Sequence, residues 1–323
     1  MTTPTVLAAR VLDGTGKGLV PTPAELEAGR SPRGTLWMHL GCDEPTVRAW
    51  LADGSGLAQV VAEALVSEEP RPRSLVSGDG VLAILRAINV NEGSDRDDMI
   101  ALRLWFEADR VITLLRRPVR AIRDIQGQLD AGTGPTGPGD FLHVVVDNLL
   151  GRIGDEIGAI EDSIDSIEEE VLTAESREIR PRLADLRRTS IALRRYLAPQ
   201  REVIGRLHAE RVSWLDDEVR SHLRESADRV TRYVETLDAS RERAAVSYEE
   251  LSSRLAEQMN QTMYLLSVVA AIFLPLGLLT GLLGINVGGM PGTESPWAFS
   301  LVTAMMVMLG VGEVLLFRRM RML

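Results

Sequence analysis

The chain has almost no cysteine and almost no lysine. Cys42 is its single cysteine, which excludes a disulfide framework within the chain and suits a reducing cytoplasm. Lys17 is its single lysine, so arginine supplies nearly all of the positive charge. The 46 acidic residues outnumber the 36 basic ones, and the net charge of −10 argues against nucleic-acid binding. Residues 1–20 lack the basic start and apolar core of a secretory signal peptide, so we expect this region to stay in the cytoplasm.

Charge is also missing from a long stretch near the C-terminal end. No charged residue occurs between Glu257 and Glu294. Within this stretch, residues 263–285 form an apolar run that would be about 35 Å long as a helix, enough to cross a bilayer. A second apolar run covers residues 297–317 and contains one charge, Glu313. The sequence therefore predicts two transmembrane helices.

The distribution of arginine around these runs predicts their orientation. The tail 318–323 contains three arginines, whereas the loop 286–296 contains neither lysine nor arginine. The positive-inside rule places the basic tail in the cytoplasm and the loop outside. Since two crossings cancel, the N-terminal region lies on the cytoplasmic side as well. We therefore expect a multi-pass protein of the inner (plasma) membrane with both termini in the cytoplasm.

The N-terminal part, residues 1–131, reads as a cytoplasmic α/β domain. Short runs rich in Val, Ile and Leu, separated by Gly- and Asp-containing turns, predict strands. These strands are predicted at 34–40, 73–77, 81–90, 99–106 and 110–116, with helices at 45–51, 57–67 and 119–129. Residues 132–139 contain four glycines and two prolines and form a flexible break.

After the break the sequence predicts only helices. Isoleucine and valine recur at spacings of four and three from Ile153 to Val171, which is a heptad seam. Residues 155–170 carry eight carboxylates and no base, and residues 177–195 carry seven arginines. An acidic and a basic helix in succession predict an antiparallel hairpin over residues 140–200 that neutralises its own charge, although the acidic helix could instead concentrate cations.

A second apolar seam runs from Leu223 to Leu255, and neither proline nor glycine occurs between Leu223 and Pro275. The simplest prediction is a stalk, residues 201–262, whose helix continues unbroken into the first membrane crossing. An isolated helix cannot bury such a stripe, so we expect the stalk to pack against copies of itself. The predicted fold class is thus α+β: an α/β domain, a helical hairpin, a long stalk helix and two C-terminal transmembrane helices.

The end of the first apolar run carries the motif Gly284-Ile285-Asn286. Two membrane helices per chain cannot enclose an aqueous path, so transport would require a ring of subunits in which each pore residue becomes a girdle. A girdle of Asn286 carboxamides at the external mouth would hydrogen-bond the waters of a hydrated cation, and glycine at 284 lets the backbone approach closely. The alternative interpretation makes Asn286 an ordinary helix C-cap.

The motifs Phe273-Leu274-Pro275, Gly284-Ile285-Asn286 and Met290-Pro291 fall without gaps on the pattern of one family. They resemble the CorA superfamily of divalent-cation transporters, and Gly-Ile-Asn-Val-Gly-Gly-Met-Pro-Gly is similar to its zinc-associated ZntB branch. The chain departs from the superfamily's Gly-Met-Asn and Met-Pro-Glu motifs, since Ile285 replaces methionine and Gly292 replaces glutamate. Stretches near Trp37 and Arg103 also resemble ZntB, so the resemblance covers nearly the whole chain.

The resemblance implies a homopentamer in the lipid bilayer whose pore is lined by the first membrane helix. By the gapless register, the lining positions would be Asn260, Met263, Leu266, Leu274, Gly277 and Gly281. It further implies import of Zn²⁺, with Ni²⁺, Cd²⁺ and Co²⁺ as further cargo, coupled to protons and without a permanently bound cofactor. No carboxylate faces the ion between residues 263 and 285, so the cation should pass hydrated while Leu266 and Leu274 gate by dewetting.

Single residues outside this register carry weaker hypotheses. Glu294 could attract cations electrostatically or be a solvated loop residue. Glu313 could relay protons, or it could pair with Arg318 at the membrane surface. By register alone, Glu225 and Glu249 are candidate stalk cation sites. His39 and Cys42 are soft zinc ligands, but their spacing forms no closed zinc motif, which favours a structural role.

No nucleophile–base constellation points to an enzyme. Beside the zinc importer, two functions stay open from the sequence. One is a passive CorA-type channel for Mg²⁺, Co²⁺ or Ni²⁺. The other is a non-conducting, membrane-tethered coiled-coil scaffold or sensor, which would have no need for Gly284-Ile285-Asn286.

Overall fold

The computed structural model describes residues 4–68, 70–95, 98–173, 178–284, 292 and 294–319. The chain divides into two compact units, residues 1–248 and 249–323. The first contains a sheet and most of the helices, and the second contains the two apolar helical segments.

A six-stranded mixed sheet forms the centre of the first unit. Its strands are β1 (Val6–Leu12), β2 (Thr35–Gly41), β3 (Arg73–Ser77), β4 (Gly80–Ile88), β5 (Met99–Phe106) and β6 (Arg110–Leu115). They lie in the order β1-β2-β6-β5-β4-β3, and only β2 and β6 run parallel. The five strands predicted from apolar runs are present within a few residues, whereas β1 was not predicted. Gly34 precedes β2 with φ of 150°, and a Cβ there would lie 2.1 Å from the Leu12 carbonyl oxygen, so only glycine fits.

One face of the sheet packs against short helical elements. These are α2 (Pro45–Ala49), the π-helical turn Trp50–Gly54 and α3 (Gln59–Val66); α1 (Pro23–Ala28) precedes β2. Alternate residues of each strand point to this face, so Met38 and Leu40 of β2 join Leu65 of α3 in one buried cluster. Because side chains alternate along a strand, β2 contributes residues to the packed cores on both faces of the sheet.

The other face packs against three longer helices. They are α4 (Arg120–Ala131), α5 (Pro138–Thr173) and α6 (Ile179–Leu207). Aromatic rings fill the contact between the sheet and α5: the ring centroids of Trp37 and Phe141 lie 5.1 Å apart, and those of Phe106 and Phe141 lie 6.3 Å apart. Because Phe141 is fully buried, this contact is a main anchor of the helices on the sheet.

The predicted hairpin and long helix are both present. The apolar seam of α5 from Ile153 to Val171 is buried. The helix that follows the hairpin, α7, covers Asp217–Gly284 as one 68-residue element. The stripe of α7 at Leu223, Val230 and Leu237 is already buried within the single chain. Our expectation that this stripe needs copies of the chain to cover it is therefore wrong for this part of the helix.

Ion pairs show what packs against the first part of α7. Arg243 of α7 binds Asp165 and Glu168 of α5, and the hydroxyl of Tyr233 donates to the carbonyl oxygen of Leu150 at 3.1 Å. Within the described residues, Arg182 and Glu170 form an ion pair between α5 and α6. The acidic helix is thus neutralised by α7 as well as by its hairpin partner.

The second unit contains the C-terminal part of α7 and the last helix, α8 (Ala298–Arg319). Both helices are long and apolar enough to cross a membrane. The most apolar stretch of α7 is 6% buried, and that of α8 is 0% buried. The two segments touch where Gly310 of α8 faces Leu276, whose Cδ1 lies 3.8 Å from where a Cβ at 310 would be. Apolar helices that stay uncovered in the chain have the character of membrane segments rather than core helices.

Candidate functional site

The six predicted lining residues lie on the apolar part of α7, and all of them are exposed in the single chain. At about 100° per residue, these six positions fall within a sector of about 120° around the helix axis. The set comprises Asn260, Met263, Leu266, Leu274, Gly277 and Gly281. One unbroken helix therefore places these residues on a common face.

The least exposed residues of the same segment project to the opposite side of α7. They are Val268, Ile272, Pro275, Leu276 and Leu279. Leu276 is the residue that contacts Gly310 of α8, so α8 packs on this side. The candidate lining face is left uncovered by the chain's own second apolar helix.

The motif at the external end is only partly within the described residues. Gly284 is the last residue of α7 and is exposed, whereas Ile285 and Asn286 lie outside the described part of the chain. Glu294 is described and exposed, just before α8. The role of this motif stays a prediction.

Glu313 lies on the side of α8 that faces α7. It follows Gly310 by three residues, which places both on one side of the helix. Its Oε2 is shielded from solvent and has no hydrogen-bond partner among the described residues. The alternative salt bridge to Arg318 is not formed within residues 294–319 that the structure describes. The proton-relay role of Glu313 stays a prediction.

The two stalk candidates, Glu225 and Glu249, are exposed on α7. In the described part of the chain, no group of three or more His, Cys, Asp or Glu side chains is placed to hold a metal ion. Cation binding at these two residues stays a prediction that depends on a second chain.

His39 and Cys42 have partners within the sheet domain. The Nδ1 of His39 lies 2.8 Å from the Thr113 hydroxyl, which also accepts a hydrogen bond from the Trp37 indole. The Cys42 thiol lies 3.6 Å from the Leu65 carbonyl oxygen. Burial lowers the pKa of His39 to about 4, so the ring is neutral at physiological pH. These contacts agree with the structural interpretation of both residues.

A set of arginines buried in the sheet was not predicted from the sequence. Arg103 is 1% exposed and Arg110 is 3% exposed. Arg103 donates to the carbonyl oxygen of Ser67, and Arg110 donates to that of Ser55 and to the Glu107 carboxylate. One arginine within an otherwise apolar strand gives no motif, so only the register of the sheet reveals these residues.

Comparisons with known proteins extend these observations. The chain matches the family model described as CorA-like Mg²⁺ transporter protein over residues 33–319. It is 38% identical over 298 residues to the divalent cation transporter CmaX of Pseudomonas aeruginosa, covering 90% of this chain and 88% of that protein. It is 36% identical over 301 residues to the zinc transport protein ZntB of Yersinia enterocolitica, covering 93% of this chain and 91% of that one.

Two solved structures share the fold along their length. The full-length CmaX protein matches with a TM-score of 0.84 at 36% identity, covering 98% of both chains. The CorA magnesium transporter from Methanocaldococcus jannaschii matches with a TM-score of 0.79 and the same coverage at 20% identity. The second match concerns the fold alone.

Proposed function

The chain belongs to the CorA-like transporter family, and on that premise we propose that it carries zinc and other divalent transition-metal cations into the cytoplasm. In this proposal it is a homopentamer of the inner membrane with residues 263–285 and 297–317 as the two crossings. Relatives named as zinc and divalent-cation transporters over about nine-tenths of the chain support the choice of cargo.

The observation that carries the proposal is the uncovered face of α7. Asn260, Met263 and Leu266 begin this face, and Gly281 ends it, while α8 packs on the opposite side. A helix with α8 at its back and a free face in front can line a central path when copies assemble in a ring. The first membrane crossing then lines the pore and α8 faces the lipid.

The chemistry of this face favours passage of a hydrated ion. It contains no carboxylate to replace the hydration shell, so stripping a divalent cation there would be costly. Carboxamides at Asn260 and Asn286 hydrogen-bond the ion's waters at the two ends, and Glu294 draws cations to the outer mouth. Leu266 and Leu274 form the constriction that closes by dewetting, and the thioether of Met263 suits a transition metal.

Proton coupling is assigned to Glu313 in this proposal. One oxygen of its carboxyl is shielded from solvent, and in this proposal the gain or loss of a proton there changes how α7 and α8 pack. Cytoplasmic cation sites at Glu225 and Glu249, formed between neighbouring copies, would close the ring as internal metal rises.

Uptake by the purified full-length protein in liposomes containing a metal-sensitive dye tests the proposal. Zn²⁺ and Mg²⁺ are supplied separately, with and without an inward proton gradient. We expect zinc uptake that rises with the gradient, is lost in Asn286→Ala, and loses only its gradient dependence in Glu313→Gln. The oligomeric state of each variant serves as the control for assembly.

Other results would support the competing functions. Mg²⁺ flux that is independent of the proton gradient would identify the protein as a passive channel and contradict the assignment of proton coupling to Glu313. Absence of flux for both ions, with assembly intact, would favour the scaffold. Zinc uptake that is unchanged in Asn286→Ala would show that the Gly284-Ile285-Asn286 motif is not required for ion passage.

A further inference from the structure

Four arginines line one cavity of about 200 Å³ in the first unit, and the described residues that line it all precede α7 in the chain. The cavity lies between the ends of β4, β5 and β6 and the helix α6. Its charged lining residues are Arg86, Arg103, Arg116, Arg117, Glu68 and Asp98. Guanidinium groups outnumber carboxylates in this lining, although acidic residues outnumber basic ones in the chain as a whole. A cluster of guanidinium groups in an acidic protein is a candidate anion site.

Arg103 is the most deeply buried member of this group. It is 1% exposed, and its guanidinium donates to the carbonyl oxygens of Ala101, Ser67 and Glu68. Its Nε is buried without a hydrogen-bond partner, and no carboxylate pairs with it in the described part of the chain. Desolvation by burial lowers the pKa of Arg103, and the charges of Arg116 and Arg86 act in the same direction, while Cys42 and Asp43 oppose them. A buried cation beside like charges is costly unless a counter-ion is present.

The other arginines are held in fixed positions around the cavity. The Arg86 guanidinium donates to the carbonyl oxygens of Met99 and Pro70 and stacks 4.4 Å from the centre of the Tyr196 ring. Arg116 is oriented by Asp43, and Arg117 by Asp98, at 3.2 Å and 2.8 Å. Each of these arginines has five N–H donors, and one N–H of Arg117 donates to the Asp98 carboxylate. Pre-oriented guanidinium groups suit a tetrahedral oxyanion better than a flexible lysine would.

We propose that this arginine cavity binds a phosphate group, either as inorganic phosphate or as the phosphate of a nucleotide. A phosphate carries about −1.5 to −2 charges at pH 7 and several strong acceptor oxygens, so it can accept from more guanidinium groups at once than a carboxylate with its two oxygens. The volume of about 200 Å³ accommodates a phosphate with ordered water and leaves the rest of a larger ligand outside. The proposal does not depend on metal transport, because no residue of the cavity belongs to the candidate path.

Calorimetric titration of the full-length protein in phosphatidylcholine nanodiscs, at constant ionic strength, tests the site. Inorganic phosphate, AMP and acetate are the three probes. We expect saturable phosphate binding, weaker acetate binding, and a loss of affinity of about tenfold or more in Arg117→Gln. Arg117 has a side chain 61% exposed, so this variant should fold normally. Tighter binding of AMP than of phosphate would identify a nucleotide as the source, and equal or weaker binding would identify free phosphate.

Arg120→Gln is the matched control, because Arg120 is exposed at the start of α4 and does not line the cavity. Its phosphate affinity should equal that of the unaltered protein. Arg103→Lys keeps the positive charge but loses the planar guanidinium group with its fixed N–H donors. This variant should bind phosphate more weakly while remaining folded by circular dichroism. Equal losses in Arg117→Gln and Arg120→Gln, equal binding of acetate and phosphate, or no saturable phosphate binding would each overturn the proposal. Asn286→Ala should bind phosphate normally, which separates this test from that of transport.

Discussion

The two units of the chain differ in the exposure of their apolar side chains. In the first unit Trp37 and Phe141 are fully buried by the chain's own sheet and helices. In the second unit Leu274 is 70% exposed and Phe299 is 82% exposed. One chain therefore contains the information for a complete soluble core, while its apolar helices stay uncovered within the chain. The difference predicts which substitutions act through stability and which act through transport.

Removing one phenylalanine from each unit gives the largest expected contrast. Phe141→Ala deletes a fully buried ring that packs on Trp37 and Phe106, and should cost about 3–5 kcal/mol in the free energy of unfolding of the first unit. Phe299→Ala removes an exposed ring and should change the same quantity by less than about 0.5 kcal/mol. Urea unfolding of the detergent-solubilised protein, followed by circular dichroism, measures both. Equal costs would abolish the contrast between the units.

The pH dependence of stability tests the burial of one residue of the first unit, His39. The pKa of His39 is about 4 in the folded chain against an ordinary value of 6.5, because burial disfavours the charged ring. The unfolded chain therefore binds more protons between these values, so His39 leaves stability intact above pH 6.5 and reduces it as the pH falls toward 4. The limiting loss is about 3 kcal/mol.

His39→Gln isolates this contribution from those of other titrating groups. The difference in unfolding free energy between His39→Gln and the unaltered protein should shift in favour of the variant as pH falls from 7.5 to 5. A difference that stays constant with pH would show that His39 is not buried in its neutral form. The constant part of the difference reports the lost contact with Thr113.

Two adjacent carboxamides on α7 test which face of that helix carries function. Asn260 lies on the candidate lining face, and Gln261 projects about 100° away. Asn260→Ala should reduce zinc uptake about tenfold, the scale of one net hydrogen bond to the ion's waters, while Gln261→Ala should leave it unchanged. Liposome flux measures both variants. The reverse pattern would assign the path to another face.

The smallest expected effect concerns the ion pairs of α7 with α5. Arg243 binds Glu168 through Nε at 2.9 Å and also binds Asp165, whereas Arg241 is 3.9 Å from Asp238 on its own helix. Arg243→Gln should lower the unfolding free energy by about 1 kcal/mol, because the side chain is partly exposed, and Arg241→Gln should have no measurable effect. The loss should shrink in high salt, and a loss that is independent of salt would assign it to packing.

The sequence predicted the parts of the fold that local patterns encode. The strands from β2 to β6 were found because their apolar runs end at Gly- and Asp-containing turns. Strand β1 was missed because Val6–Leu12 mixes alanine and arginine with apolar residues and lies at the sheet edge. Helix α1 was missed although Thr22 and Glu25 form a capping box, which is a readable signal.

Two features depend on tertiary contacts and could not be predicted locally. The stripe of α7 showed that a partner covers Leu223 and Val230, but not that the partner is in the same chain. The arginine cavity depends on β4–β5 register, which pairs Arg86 with Ala101 and Ile84 with Arg103. Such pairing brings charges together from two different strands, so periodicity within one strand contains no trace of it.

The burial of Cys42 has a practical consequence for spectroscopy. Its thiol is 0% exposed beneath the Leu65 carbonyl, and it is the only sulfhydryl in the sequence. A cysteine introduced at an exposed position of α8, such as Phe299, would therefore be the only thiol that a spin label reaches in the native protein. Dipolar distances between such labels would count the subunits of the assembly directly, with no need to engineer a cysteine-free background.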